Sequence, residues 1–569
     1  MNSIRGNKLS IKRYGKKYFG IISILILGLL PLYALFNSGF PLTHDGMDHI
    51  ARIANFYKGL SEGNIFPRWG ENLNWGYGHP ILMFLYPLSS YASSFFHLLG
   101  NSYVDSLKFV FAIGFVSSGL TMYLWARKQF NEYYGITAGL LYMYAPYRFI
   151  DMYVRGAIGE HVAFIFPPLV LYFLYQYFNT KKERNETLYL LGIAISCALL
   201  LLAHNAISLM FMPLIASYAV FLAYSSKNYK KLFMSFLSFV WGILLSGFFT
   251  FPAFFEGKFT LRDIVTGDEY KTRFVTNPLA FIYGQWSYGI TGQFSVQIGL
   301  ANIIGLLLTP LVFLKTKKKD IKILLLILSG FFVFSIFIML PQSNFFYLLI
   351  TTFKKFQFPW RFLTLTVFTT SILAPSIFLV IKNPKIKVFA LVIFICILIF
   401  STFSYWNANG YFNRSDAFYN TIYSGTTDTG ESSPIWSIRF MEHRPNAHAE
   451  VITGTAKIVE RQRKSTKHAY HITVTTENAR IRENTLYFPN WQVIADGKPV
   501  DTQFQDPSER GLITYYLPKG KHNVDVVFKD TKLRVVSSFV SLLSLAAIII
   551  VGLHALIRKI RKPWAQVHE

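Results

Sequence analysis

The chain has 569 residues, of which 52% are hydrophobic, 17% aromatic and only 15% charged, whereas soluble proteins carry about 25% charged residues. The formal net charge of +26 does not indicate nucleic-acid binding, because the basic residues lie in short clusters between long apolar runs. This composition excludes an ordinary soluble domain and predicts a polytopic α-helical membrane protein, since several runs reach the roughly 20 residues that span a bilayer.

The basic clusters set the predicted topology, because Lys and Arg concentrate in cytoplasmic loops. The first apolar run, YFGIISILILGLLPLYALF, is too long for a signal-peptide core, so we interpret it as a retained helix. The pattern gives about twelve spans with both termini cytoplasmic. The usage rich in Lys, Ile, Asn and Phe, without cysteines in the predicted outer regions, favours the plasma membrane of a Gram-positive bacterium. The predicted spans are 18–37, 106–126, 134–150, 161–179, 187–203, 206–224, 232–251, 297–314, 323–340, 360–381, 388–406 and 533–557.

One apolar run, residues 80–100, does not fit this topology as a span. Counting it would place Arg127 and Lys128 outside, so we assign it to the interface as a juxtamembrane or re-entrant helix. Residues 1–406 then form a membrane module, whose predicted outer loops are 38–105, 148–160, 252–296 and 341–359.

Residues 407–532 change from long apolar runs to alternating apolar and polar residues. Segments such as HAYHITVTTEN and GLITYYLPKGKHNVDVVFKD have the period of two that is typical of strands. The Asp496-Gly497 pair predicts a hairpin turn. We therefore predict an extracytoplasmic β-sandwich, followed at 533–569 by a last membrane helix and a basic cytoplasmic tail.

The segment PLTHDGMDHIARIANFY directly follows the first span on its outer side. Its apolar spacing predicts an amphipathic helix that begins near Asp48, with His49 and Arg52 on one face. A carboxylate such as Asp45 or Asp48 at this position can act as a general base toward a hydroxyl or hold a divalent metal. The alternative is that Asp45 only caps the helix.

Two further outer segments concentrate charge beside predicted spans. YRFIDMYVRGAIGEH carries Arg155, Glu160 and His161, and ionisable residues this close to a bilayer are often functional, although they also form interfacial ion pairs. FKKFQFPWRF carries Lys354 and Arg361. These side chains can bind a lipid phosphate or simply extend toward the interface.

The sequence contains no Walker A, GxGxxG, HExxH or GxSxG motif. Use of ATP is therefore not indicated, and an outward-facing enzyme would need an activated substrate that is delivered in the membrane. A polyprenyl-phosphate sugar meets this need, because its tail dissolves in the bilayer and its phosphate is a leaving group.

These segments together resemble a known family. The acidic residue after the first helix, the juxtamembrane helix and His79 in GYGHP are similar to the GT-C superfamily of glycosyltransferases, which use lipid-linked sugars. HDGMDHIARIANFYKGLSEGNIFPRW, YAPYRFIDMYVRGAIGEHVAF, QFPWRFL and FPNWQVIADGKPV resemble more closely the bacterial membrane family labelled 6-pyruvoyl-tetrahydropterin synthase-related. The resemblance covers nearly the whole chain and implies a GT-C-like fold.

The resemblance also implies roles for individual residues. Asp45 matches the superfamily's catalytic carboxylate, and Asp48 is a second acid within the same turn. Because the first outer loop has no Asp-Glu or Asp-Asp pair, a role for Mg²⁺ or Mn²⁺ stays open and no metal ligands are assigned. The implied substrate-binding residues are His49, Arg52, His79, Arg155, Glu160, His161, Lys354 and Arg361.

The resulting hypothesis is an inverting glycosyltransferase that moves a sugar from a polyprenyl-phosphate donor to a cell-envelope glycopolymer or lipid on the outer face. Its expected partners are these substrates and membrane lipids, and not nucleic acid. Two alternatives stay open. A non-catalytic envelope assembly factor would keep the topology without needing Asp45, and a lipid-linked-sugar flippase or transporter would place ionisable residues in the middle of its spans.

Overall fold

A computed structural model of the protein describes residues 18–289 and 294–565. Among these residues, nine helices are long and apolar enough to cross a membrane, or ten if one bent pair counts as a single span. The predicted membrane class is therefore confirmed, while the basic cluster within 5–17 lies outside the described residues. The helices are α1 (Tyr18–Phe36), α2 (Gly46–Ser61), α3 (Leu88–Leu98), α4 (Tyr103–Gln129), α5 (Glu132–Tyr144), α6 (Pro146–Phe149), α7 (Ile158–Ala163), α8 (Phe166–Asn179), α9 (Glu183–Ala203), α10 (Asn205–Ser226), α11 (Tyr229–Leu245), α12 (Gly247–Phe255), α13 (Arg262–Thr266), α14 (Leu300–Lys315), α15 (Lys319–Phe337), α16 (Asn344–Leu349), α17 (Leu363–Leu373), α18 (Pro384–Thr402), α19 (Asp416–Tyr419) and α20 (Lys532–Ala565).

Every predicted span is largely helical, but three do not form straight helices of full length. α5 has 13 residues and α14 has 16, and α11 and α12 meet at an angle of 76°. α5 ends early because Ala145 precedes a proline and adopts extended backbone, which proline favours in the residue before it. The expectation of about twelve full spans of roughly 20 residues is therefore too high.

Of two segments that were predicted to lie outside the membrane, one has the expected structure and one does not. The run at 80–100 contains α3, whose 11 residues are too short to span a bilayer, as a juxtamembrane helix should be. The segment at 148–160 is not the expected loop, because α6 continues into a π-helix, Ile150–Arg155. That helix ends at Gly156, which has a φ of +71° that glycine tolerates.

The strands occupy two places in the fold. β1 (Phe40–Pro41) pairs with β2 (Tyr411–Phe412) and connects the segment before α2 to the segment after α18. The remaining strands form one antiparallel sheet of six, in the order β3-β5-β8-β6-β7, with β4 also paired to β5. They are β3 (Ala449–Thr453), β4 (Ala456–Lys464), β5 (Lys467–Leu486), β6 (Trp491–Ala495), β7 (Lys498–Val500) and β8 (Leu512–Phe528).

The predicted strands are confirmed, but the described residues form one sheet where we expected a sandwich of two. β5 and β8, with 20 and 17 residues, run through the whole sheet without dividing it. Irregularities in their pairing between Val474 and Asn478 allow the long strands to bend. The predicted hairpin is present, and Asp496 and Gly497 have the positive φ values that its tight turn needs.

The sheet packs against the loop that follows α2. Trp69 of that loop packs edge-on against Trp491 of β6, with ring centroids 5.3 Å apart. Beside this contact, Glu71 forms ion pairs with Lys58 of α2 at 2.5 Å and with Arg463 of β4 at 2.7 Å. The sheet is thus held close to α2 and to the loop that follows α2.

A buried ion pair joins the start of α20 to α12. The Nε of Arg534 donates to Glu256 at 2.8 Å, and Thr531 donates to the other carboxylate oxygen of Glu256 at 2.7 Å. The side chains of Arg534 and Glu256 are 0% and 6% exposed. Removing one member would leave a buried charge without its partner, which is costly in a protein interior.

We therefore expect Glu256→Ala to lower the free energy of unfolding by about 3–5 kcal/mol. The matched control is Glu442→Ala, because Glu442 forms an exposed pair with Arg510 at 3.2 Å and such pairs contribute about 0–1 kcal/mol. Thermal unfolding of both variants in detergent measures the difference. Equal midpoints for the two variants would contradict this account of the junction.

Candidate functional site

The backbone of Asp45 is fixed against the end of the π-helix. Its N–H donates to the carbonyl of Arg155 at 2.9 Å, directly before α2 begins. A Cβ on Gly156 would lie 2.5 Å from Thr43 Oγ1, so this approach requires glycine. Thr43 Oγ1 accepts a hydrogen bond from the N–H of Gly46 at 3.1 Å and so stabilises the first turn of α2. The backbone therefore holds Asp45 at one position relative to Arg155.

The carboxylate of Asp45 is left without a partner. It caps no helix N–H, and it forms no hydrogen bond or ion pair within the described residues, although it is open to solvent. Its pKa is raised, because the surrounding protein in the deep recess reduces its hydration, while the charges of Arg155, His44, Arg52 and Arg361 act in the opposite direction. An accessible carboxylate with a raised pKa suits a general base better than a helix cap.

A buried carboxylate, Glu160, fixes two of these arginines. Its Oε2 lies 2.9 Å from the Nη1 of Arg155 and 3.6 Å from the Nε of Arg361. Its Oε1 accepts hydrogen bonds from Tyr147 and, at 3.0 Å, from Thr364. With four partners and 1% exposure, Glu160 is a structural anchor rather than a group available to a substrate.

The two arginines are held further by contacts of their own. Arg155 donates to Asp151 at 2.7 Å and lies over the ring of Trp360 at 4.5 Å. Arg361 donates from Nη1 to the carbonyl of Phe356 at 2.8 Å. The Nη2 groups of both arginines make no hydrogen bond within the described residues. Arginine forks of this kind bind phosphate well.

Arg52 is the third arginine of the site and lies on α2. It is buried and contacts His49 Nδ1 at 2.9 Å, and it donates to the carbonyl oxygen of Thr427 and, at 3.3 Å, to its hydroxyl. No carboxylate among the described residues lies within ion-pair distance of it. Burial, together with the charge of Arg52, holds the pKa of His49 well below its usual value, so His49 is neutral.

A covering segment, residues 420–433, crosses the site from the region between α18 and the sheet. Tyr423 donates to the carboxylate of Asp48 at 2.7 Å, and Thr427 accepts from Arg52. Thr427 has a φ of +66°, a strained conformation for a β-branched residue. Burial raises the pKa of Asp48, with the Tyr423 hydrogen bond as the strongest opposing effect. Asp48 therefore has a hydrogen-bond partner, whereas the carboxylate of Asp45 has none within the described residues.

Two of the predicted histidines lie in the packed interior. His79 is fully buried and its Nε2 contacts the hydroxyl of Ser433 at 3.1 Å; burial lowers its pKa to about 3. His161 is also fully buried, and its Nε2 contacts the carbonyl of Phe111 on α4 at 3.0 Å. In these positions both side chains serve packing.

Lys354 lies apart from the site as well. It helps to lower the pKa of the exposed Asp268, after the stronger hydrogen bond from Lys271, and it is not among the charges that act on Asp45. The predicted residues that do converge are Asp45, Asp48, His49, Arg52, Arg155, Glu160 and Arg361.

Four further residues lie at this set and were not predicted as site residues: Tyr423 and Thr427 contact it directly, and Tyr86 and His204 are close enough to interact with its charges. Tyr423 and Thr427 come from a segment without periodicity, so no sequence signal placed them here. Tyr86 stacks on His204 with ring centroids 4.8 Å apart. His204 directly precedes α10, and no pattern in the sequence indicates which side chain it contacts.

The charged groups around Asp45 suit an anion better than Mg²⁺ or Mn²⁺. Within residues 18–289 and 294–565, no group of three or more His, Cys, Asp or Glu side chains lies together as metal ligands would. The charged side chains nearest Asp45 are mainly guanidinium groups, which bind anions, whereas these cations take oxygen ligands.

A protein-family model described as "6-pyruvoyl-tetrahydropterin synthase related domain; membrane protein" matches residues 82–409, more than half of the chain. The chain belongs to this family. The match confirms the resemblance seen in the sequence and includes Arg155, Glu160 and Arg361, while Asp45 and Arg52 precede it. The label 6-pyruvoyl-tetrahydropterin synthase-related describes the family and assigns no reaction to this member.

The similar proteins share low sequence identity with this chain. An uncharacterized protein of Lactococcus lactis subsp. cremoris is 23% identical over 292 residues, which are 50% of this chain and 46% of the relative. The arabinofuranosyltransferase AftD from Mycobacteria is similar with a TM-score of 0.39 and 13% identity, covering 68% of this chain and 26% of AftD. The oligosaccharyltransferase of Archaeoglobus fulgidus gives a TM-score of 0.39 and 14% identity, covering 74% of this chain and 61% of that enzyme.

The chain thus spans less than two thirds of each of these proteins. Neither structural likeness reaches a TM-score of 0.5, so no activity is carried over from AftD or the oligosaccharyltransferase.

The contrast between Asp45 and Glu160 predicts different chemical reactivity. A water-soluble carbodiimide attacks protonated, accessible carboxyl groups, so we expect it to couple an added amine to Asp45, which is open to solvent and has a raised pKa. Glu160 is shielded by its four partners and should stay unlabelled. Peptide mass spectrometry of the labelled protein, with Asp45→Asn as the control, measures this. Labelling of Glu160 before Asp45 would contradict the finding that Glu160 is buried and paired while Asp45 is accessible.

Proposed function

We propose that this protein is a membrane glycosyltransferase that moves a sugar from a polyprenyl-phosphate donor to a hydroxyl of a cell-envelope glycopolymer or lipid. The observation that supports it most is the unpaired, solvent-accessible carboxylate of Asp45 beside Arg52, Arg155 and Arg361. A free base next to an anion-binding group is the combination that such a transfer needs. The site lies on the outer face of a bacterial plasma membrane in this proposal, and both termini are cytoplasmic.

Asp45 acts as the general base. It takes the proton from the acceptor hydroxyl, whose oxygen attacks the anomeric carbon of the donor sugar. The new carbon–oxygen bond forms as the bond from that carbon to the phosphate oxygen breaks, and the configuration inverts. The phosphate leaves with the bonding electron pair and stays attached to its lipid.

The arginines supply the electrostatic part of the reaction. The free Nη2 groups of Arg155 and Arg361 hold the donor phosphate and stabilise the charge that grows on it as the bond breaks. Glu160 is a positioning residue, because it touches both arginines and not the substrate. Arg52 adds positive charge from α2 and keeps the covering segment in place through Thr427.

Sugar transfer in membrane vesicles supplied with a labelled polyprenyl-phosphate hexose tests the proposal. Asp45→Asn should reduce the rate by about 10²–10⁴-fold, the usual contribution of a general base. The matched control is Asp48→Asn at equal expression. Because Asp48 is already engaged by Tyr423, its loss should have a much smaller effect.

Full transfer by both variants would overturn the role of Asp45. Absence of transfer by the wild-type protein, with other lipid-linked donors also inactive, would favour the non-catalytic assembly factor. Movement of the labelled lipid across the bilayer without sugar transfer would favour the flippase.

The raised pKa of Asp45 predicts the pH dependence of the reaction. The base must be deprotonated, so kcat/KM should fall as the pH is lowered through the pKa of Asp45, and that acid limb should lie above the ordinary value of 3.8. A pH–rate profile in permeabilised vesicles measures it. An acid limb at or below 3.8, or an unchanged limb in the residual activity of Asp45→Asn, would contradict the assignment.

A further inference from the structure

The hydroxyl group of Tyr86 has no hydrogen-bond partner in the described part of the chain. The residue lies between a 3₁₀ turn, Pro80–Met83, and α3, and its side chain is partly exposed. Its ring stacks on that of His204 with an interplanar angle of 24°. The hydroxyl forms no hydrogen bond within the described residues, whereas the rest of the ring is packed.

The position of the ring is tied to the arginine pair through Gly159. A Cβ on Gly159 would lie 2.0 Å from the ring of Tyr86, so the ring rests directly on the backbone at the start of α7. The next residue is Glu160, whose carboxylate holds Arg155 and Arg361. The charges of Asp45, Arg52, Arg155 and Arg361 act on the hydroxyl of Tyr86, so it lies near the arginines to which the donor phosphate is assigned above.

The surrounding charges agree with this placement. Burial raises the pKa of Tyr86, the arginines 52, 361 and 155 lower it, and Asp45 raises it. The hydroxyl therefore stays protonated at neutral pH and can only donate to an anion. A neutral O–H donor next to guanidinium groups suits a phosphate oxygen, because hydrogen bonds to charged groups are the stronger ones.

We propose that Tyr86 is a further substrate-binding residue, whose hydroxyl donates a hydrogen bond to the phosphate of the lipid-linked donor. This inference rests on the proposed function, since it uses the same donor. His204 is a positioning residue in this arrangement, because it supports the ring of Tyr86 and does not contact the phosphate.

Binding of a short-chain polyprenyl phosphate to the purified full-length protein, measured by native mass spectrometry in detergent, tests the contact without requiring sugar transfer. Tyr86→Phe removes only an unbonded hydroxyl and should leave thermal stability unchanged. It should weaken binding by about tenfold to a hundredfold, the range for a hydrogen bond to a charged group.

Two further variants sharpen the result. Tyr91→Phe is the matched control, because the hydroxyl of Tyr91 on α3 already donates to the carbonyl of Ile65 at 2.6 Å, and its affinity should equal that of the wild type. Gly159→Ala should weaken binding in the same direction as Tyr86→Phe, since its Cβ displaces the ring. Wild-type affinity in Tyr86→Phe, or no measurable binding by the wild type, would overturn the inference.

The binding measurement on Tyr86→Phe and the sugar-transfer assay on Asp45→Asn can give independent results. If Asp45→Asn transfers sugar normally while Tyr86→Phe binds polyprenyl phosphate weakly, the phosphate contact stands and the base assignment falls. If Asp45→Asn abolishes transfer while Tyr86→Phe binds as the wild type does, the reaction stands and the role of Tyr86 falls.

Discussion

The ion pairs of Glu160 are the interaction on which the rest of the site depends. A buried carboxylate is costly unless it is paired and fully hydrogen-bonded, and Glu160 meets this condition with Arg155, Arg361, Tyr147 and Thr364. Its partners come from α6, from the π-helix that follows α6 and from the start of the span at 359–379. The carbonyl of Arg155 in turn receives the N–H of Asp45. One buried charge thus connects three separate parts of the chain and fixes the carboxylate beside the guanidinium groups.

Much of the fold follows from local properties of the sequence. Long apolar runs separated by Lys and Arg were sufficient for the helices, and alternation with Asp496-Gly497 was sufficient for the strands of the hairpin. The parts of the fold that were predicted wrongly depend on contacts between residues far apart in the sequence. The π-helix before Gly156 looks like a polar loop in the sequence. The pairing of β5 and β8 with their neighbours decides whether the strands form one sheet or two, and no local sequence pattern predicts that pairing.

Part of the candidate site, like much of the fold, could be predicted from the sequence. Asp45 and Arg52 could be recognised because they share one short segment after a membrane span. Glu160 and His161 are neighbours in the sequence, yet successive residues of a helix point about 100° apart, so one joins the arginines and the other packs against Phe111. Residues such as Tyr423 and Thr427 meet Asp48 and Arg52 from 375 positions away, and only the folded chain brings them there.

The central claim is that Arg155 and Arg361 hold a lipid phosphate with its sugar next to Asp45. The most direct measurement is a cryo-electron microscopy structure of the Asp45→Asn protein in lipid nanodiscs with a polyprenyl-phosphate hexose. We expect phosphate oxygens within hydrogen-bond distance of both arginines and the anomeric carbon facing residue 45. A phosphate bound elsewhere, with the recess beside Glu160 empty, would contradict it.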